Sequence, residues 1–142
     1  MIHFQLVSLT GVKFDEDVYE VTLPTLDGEI GVLQHHMPIV SVAKIGVIAI
    51  RRDPKTSDAA REFFACSGGV IEVTTDNVLR VLVDEADHAE GIDAEEAAKA
   101  LERAEKLVAE ATDQVSLEHA QTMMDRQAVR LQVANLKRHK RR

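Results

Sequence analysis

Val83-Asp84-Glu85-Ala86-Asp87-His88-Ala89-Glu90-Gly91-Ile92-Asp93 separates two hydrophobic periods in a chain of 142 residues. N-terminal to it, apolar residues recur at every second position. C-terminal to it they recur at every third or fourth. Side chains alternate across a strand and return every 3.6 residues on a helix, so the change of period predicts a β-rich part followed by a helical one. Seven acids and no Lys or Arg lie between Asp84 and Glu96. The stretch reads as a joint, with residues 1–86 as the first unit, 87–92 as a hinge and 93–142 as the second unit.

Working upstream, alternation predicts eight or so short strands near residues 2–6, 19–23, 29–33, 40–42, 46–50, 62–66, 70–74 and 78–83. Gly11, Asp27-Gly28, Gly68-Gly69 and Asp76-Asn77 supply turn signals between them, and the polar, Pro54-containing segment 51–60 reads as a loop. Short strands with a turn signal every few residues predict an antiparallel β-sandwich or barrel. No helical pattern interrupts this half, which argues against a crossover α/β sheet.

Downstream, Ala97, Ala100 or Leu101, Ala104, Leu107 or Val108 and Ala111 share one helical face, and Leu117, Ala120, Met124, Leu131 and Ala134 mark a second helix after a turn within 112–116. The second unit is therefore predicted to be an antiparallel two-helix hairpin. Asp93 and Glu96 have the spacing of an N-cap and its reciprocal N3 partner. The Ala-rich face of the first helix offers little area for burial, which predicts a weakly docked hairpin.

Aromatics make up 4% of the chain and Trp is absent, so aliphatic residues must fill the core. A net charge of −7 argues against general nucleic-acid binding. The charge is uneven, however: residues 126–142 hold seven Lys or Arg and no acid. Such a segment is expected to meet an acidic surface, either in this chain or on a partner. One alternative is a free-standing module whose basic second helix engages an acidic protein or RNA. The single Cys66 excludes an internal disulfide, and no apolar run is long enough to span a membrane.

No sequence constellation supports catalysis. The glycine-rich phosphate cradles are missing, as is the nucleophile elbow. His35-His36 is the only His/Cys cluster and is too small for a zinc site. The expectation is therefore no catalytic residue, no metal and no resident cofactor.

The motif Pro24-x-x-x-Gly28-Glu29-Ile30-Gly31-Val32-Leu33-x-x-His36-x-Pro38 resembles the signature of bacterial ATP synthase epsilon subunits. Ser67-Gly68-Gly69-Val70-Ile71-Glu72-Val73 and the segment from Asn77 to Ala86 continue the resemblance, as do Ile92-Asp93 and the hairpin after them. The resemblance implies a ten-stranded sandwich with two C-terminal helices and a non-catalytic place in the central rotor stalk. It implies contacts with the gamma subunit and the c-ring, beneath the alpha and beta subunits of the head, on the cytoplasmic face of the bacterial plasma membrane. It also implies a hairpin that can extend and inhibit ATP hydrolysis. Glu29 and His36 match positions at the c-ring end. Arg126, Arg130, Lys137 and Arg138 would meet an acidic segment of the beta subunit. Some members bind ATP on the folded hairpin; Asp93, Arg103, Arg126 and Arg130 match that pattern, but Glu96 stands where the motif has Arg. A carboxylate facing a triphosphate is repulsive, so ATP is expected to bind weakly at most.

Overall fold

In the computed structural model, which describes residues 1–140 and their side chains as far as Lys137, the alternating half forms ten strands. They are β1 (Ile2–Ser8), β2 (Gly11–Val18), β3 (Glu20–Thr25), β4 (Gly28–Leu33), β5 (Ile39–Ala43), β6 (Gly46–Arg51), β7 (Glu62–Cys66), β8 (Gly69–Val73), β9 (Val78–Val83) and β10 (Ala86–His88). Helices α1 (Ala94–Glu110) and α2 (Gln114–Lys140) follow. The strands hydrogen-bond in the order β10-β7-β6-β3-β5-β8-β9-β1-β2, with β4 on β3. One pair among the described strands, β1 with β9, is parallel. Strand β3 joins the two layers, because Glu20–Thr22 pair with β6 while Thr25 pairs with Ala43 of β5. The sandwich and the helical pair both agree with the sequence reading.

Two of these strands were not foreseen from alternation, although the family resemblance implied ten. Gly11 was read as the opening of a turn, yet it begins β2, in which only Phe14 and Val18 are buried. β10 takes up residues read as part of the joint, pairing Ala86 with Cys66 and His88 with Phe64. The joint is further tied to the end of β7, since Ser67 N donates to Glu85 O at 3.0 Å and Glu85 N donates to Ser67 Oγ at 2.8 Å. The His88 ring caps the 3₁₀ turn Ala89–Gly91, its Nδ1 accepting from Glu90 N at 3.1 Å.

Inside the sandwich, the inward residues of alternating strands form one core. Ile2, Phe4 and Leu6 of β1 meet Leu79 and Val81 of β9, Ile48 and Ile50 of β6, and Phe64 of β7. A second, separate core lies on the outer side of β6 and β7. There Ala49, Phe63 and Ala65 pack against Ile92, Ala97, Val133 and Ala134. Strand β7 is thus buried on both faces, which is why its sequence, Phe63-Phe64-Ala65-Cys66, is continuously apolar rather than alternating.

Helix α1 starts where the spacing predicts, with Asp93 Oδ1 accepting from Glu95 N at 2.9 Å and Glu96 N at 3.1 Å. Helix α2 starts at Gln114, earlier than its apolar pattern suggested. Asp113 accepts from Ser116 N at 2.8 Å and from Ser116 Oγ at 2.9 Å, closing the first turn before an apolar residue is needed. These hydrogen bonds hold the Asp113 carboxyl below its ordinary pKa. Through Val133 and Ala134, with Val129 and Leu136 half-buried beside them, α2 makes most of the helical contact with the sheet, and α1 packs mainly on α2.

Candidate functional site

Three surfaces remain once the cores are accounted for. The first is on the outer face of the layer formed by β5, β8, β9, β1 and β2, which carries no helix. Pairing aligns Val42 with Val70, Val70 with Leu82, Leu82 with Val7, and Val7 with Val12. This apolar row runs across the layer with one residue per strand. Val42, Val70 and Leu82 are each about half exposed, at 51%, 45% and 47%, and Val40 beside them is 76% exposed. Contiguous exposed apolar surface of this kind makes the row a candidate contact surface for another protein.

Next to the row lies a polar one. Arg80 Nε donates to Gln5 Oε1 at 3.2 Å, and its Nη1 lies 3.5 Å from Glu72. Beyond it, His3 bridges two acids of β2, with Nδ1 2.7 Å from Asp17 and Nε2 2.6 Å from Asp15. Both ring nitrogens face carboxylates, so the geometry suits the doubly protonated imidazolium. Hydrogen bonding to Asp17, then to Asp15, raises the His3 pKa above its ordinary 6.5. A raised pKa in the folded state gives stability that is complete below the unfolded value and is lost as pH rises through the folded one. The urea midpoint should therefore fall as pH is raised from about 6 to about 9, and His3→Gln should flatten that slope. An unchanged slope in the variant would place the effect elsewhere.

The second surface is the end of the sandwich at the β4–β5 loop. His35 and Asn77 both take left-handed backbone, each with φ of 62°, and His35 N donates to Asn77 Oδ1 at 2.9 Å. This fixes His36, Met37 and Pro38 around a shallow depression shared with Thr74 and Asn77. His36 and Glu29 are not brought together. Strand β4 lies between them, and Glu29 lines a separate groove of about 300 Å³ with Phe63, Asp58, Arg61, Gln132 and Leu136.

The third surface is the contact between α2 and the joint. Arg126 lies 3.8 Å from Asp84 and 3.7 Å from Glu85; Arg130 lies 3.2 Å from Asp87; Lys137 lies 3.3 Å from Glu90. The basic segment thus meets an acidic surface of its own chain. A cavity of about 10 Å³, room for roughly one water, is lined by Arg126, Arg130, Glu85, Asp87 and Ser67. A phosphate could reach the two guanidinium groups only by displacing those carboxylates. The Asp93 carboxylate caps α1, while Glu96 and Arg103 are exposed on that helix. The Arg138 side chain lies outside the described residues.

Elsewhere, burial pushes the Cys66 thiol up to about 11, which suits an inert core residue. The described residues contain no group of three or more His, Cys, Asp or Glu side chains placed to hold a metal. Sequence reasoning did not foresee the apolar row. The signal was nevertheless present, because Val70-Ile71 and Val81-Leu82-Val83 put apolar residues at outward positions where alternation calls for polar ones.

Two family models match the chain in succession. Residues 1–89 match the ATP synthase delta/epsilon chain beta-sandwich domain, and residues 90–135 match the long alpha-helix domain of the same chain. Among curated relatives, the ATP synthase epsilon chain of Bacillus velezensis is 33% identical over 133 residues, covering 94% of this chain and 96% of the relative. The epsilon chain of Nitratidesulfovibrio vulgaris is 34% identical over 132 residues, covering 93% and 94%. Among solved structures, a chain in the Euglena gracilis mitochondrial ATP synthase (OSCP/F1/c-ring) superposes with a TM-score of 0.74 at 25% identity, covering 87% of this chain and 75% of that one. A chain from the Tetrahymena thermophila mitochondrial ATP synthase shares the fold, with a TM-score of 0.63 at 16% identity over 93% of this chain and 95% of that one.

Proposed function

The chain belongs to the ATP synthase delta/epsilon family as an epsilon subunit, and on that premise we propose that it is a non-catalytic part of the rotating central stalk. In this reading it couples the catalytic head to the c-ring and restrains ATP hydrolysis through its C-terminal hairpin. The observation that carries the reading is the separation of the two cores. The sandwich closes around its own interior, while the hairpin rests on a small satellite core outside it. A hairpin attached in this way can leave its seat without opening the sandwich, as a two-position regulatory element requires.

The remaining assignments follow from the surfaces. The apolar row on β5, β8, β9, β1 and β2 is the seat for the gamma subunit, leaving the sandwich as a stiff platform for torque. The loop end carrying His36 faces the c-ring, and Glu29, in its own groove across β4, is a second, separate point of that contact. Residues 87–92 are the hinge between the sandwich, 1–86, and the hairpin, 93–142. On release, Arg126, Arg130, Lys137 and Arg138 meet an acidic segment of a beta subunit, within a head built of alpha and beta subunits. No helix among the described residues is long and apolar enough to cross a membrane. Association with the cytoplasmic face of the plasma membrane is then peripheral and runs through the complex.

The test is ATP hydrolysis by the assembled enzyme carrying either the full chain or residues 1–92. The shortened chain should assemble and raise hydrolysis by a factor of a few. Equal hydrolysis at equal incorporation would leave the stalk role and remove the inhibitory one.

A further inference from the structure

Three of the cations that the proposed inhibitory contact would use, Arg126, Arg130 and Lys137, are already occupied in the docked structure. Arg126, Arg130 and Lys137 lie at spacings of four and seven residues on α2 and form one stripe. That stripe faces Asp84, Glu85, Asp87 and Glu90, the carboxylates of the joint, at 3.2 to 3.8 Å. The two sets are far apart in sequence but are held together by the second core, because Val133 and Ala134 seat the same helix on β7.

These pairs are close but poorly aligned. The buried Nε atoms of Arg126 and Arg130 have no hydrogen-bond acceptor in register, although Asp87 is within ion-pair distance of Arg130. Arg126 makes no contact with its two acids shorter than 3.7 Å. Guanidinium groups bind carboxylates best as a two-pronged, hydrogen-bonded fork, and that geometry is unfilled here. What charge adds to the seat made by the second core is therefore sensitive to salt, and the stripe can gain on transfer to an acidic partner that offers the fork.

We infer that the acidic joint acts as an internal competitor for the partner of α2: its carboxylates hold the basic stripe against the sandwich and must be displaced before an acidic segment of another subunit can take it. The inference rests on the proposed inhibitory role for its consequence in the complex, but not for the latch itself. It also gives the joint's acids a function in the docked state beyond solvating a linker.

The test begins with the isolated full chain. Asp84→Asn, Glu85→Gln, Asp87→Asn and Glu90→Gln together should speed amide exchange across the Arg126–Lys137 part of α2 by about tenfold, with exchange in β1 and β9 unchanged. The native chain should show a similar acceleration at high salt, where charges more than about 3 Å apart are screened, and the variant should show almost none. A second variant, Arg126→Gln with Arg130→Gln and Lys137→Gln, should loosen the same segment even if the first fails to fold. Exchange within about twofold of native in both variants, with the salt response intact, would overturn the latch. In the complex, the carboxylate variant should hydrolyse ATP more slowly than native, because the stripe is freed for the head. A loosened helix with unchanged hydrolysis would keep the latch and overturn the inhibitory reading instead.

Discussion

Phe64→Ala should cost the folded state about 3–5 kcal/mol, the range for deleting a buried aromatic ring. The ring is 2% exposed and stands edge-on to Phe14, with centroids 6.2 Å apart, and to His88 at 4.9 Å. Removing it opens a cavity between β2, β7 and β10 and loosens the short strand that begins the joint. Urea denaturation should show the loss as a lower midpoint with an unchanged slope. The adjacent Phe63 provides the contrast, because it points to the other face of β7 and packs under α2. Phe63→Ala should leave the sandwich's unfolding midpoint near native while exchange in α2 accelerates. Similar midpoints for the two variants would mean that the inner and outer cores unfold as one.

Gly69→Ala should be almost as damaging, at about 3 kcal/mol, the upper end of overpacking penalties. A methyl group there would lie 1.9 Å from the Leu82 carbonyl oxygen and 2.9 Å from Val83 Cα, both backbone atoms of β9. No rotamer can relieve a clash with backbone, so β8 and β9 must separate where Gly69 pairs with Val83. Val70 and Leu82 of the apolar row are moved by the same shift. Neighbouring Gly68→Ala meets only the Ala43 carbonyl at 3.2 Å and should be mild. Denaturation midpoints of the pair give the comparison, and equal losses would count against the backbone clash as the cause.

The sandwich and the helical pair were legible because their signals are local. Alternation in β1, β3 and β9 is nearly perfect, burying every second residue. β2 was hidden because it is an edge strand whose outward positions hold Lys13, Asp15 and Asp17, and its inward ones only Phe14 and Val18. β10 was hidden because three residues are too few to show a period. The polarity of the chain's end correctly predicted an acidic surface, but not which one. Arg126 and Asp84 are paired by the packing of α2 on β7, and no spacing rule relates residues on elements joined only through tertiary contact. The apolar row was only half hidden: the outward Val70 and Leu82 break the alternation of their own strands, but only the sheet register sets them in line with Val42, Val7 and Val12.

The parallel pairing of β1 with β9 has a consequence for biosynthesis. Gln5 and Arg80, hydrogen-bonded across that pair, are 75 residues apart in the chain. The first strand made must wait for the ninth before its inner edge is filled, so β1 spends most of translation paired on one side at best. β9 leaves the ribosome ahead of the basic stripe of α2, by several seconds at about 5–20 residues per second. The sandwich therefore has time to close before that stripe emerges. The acids of the joint are in place first, waiting for it.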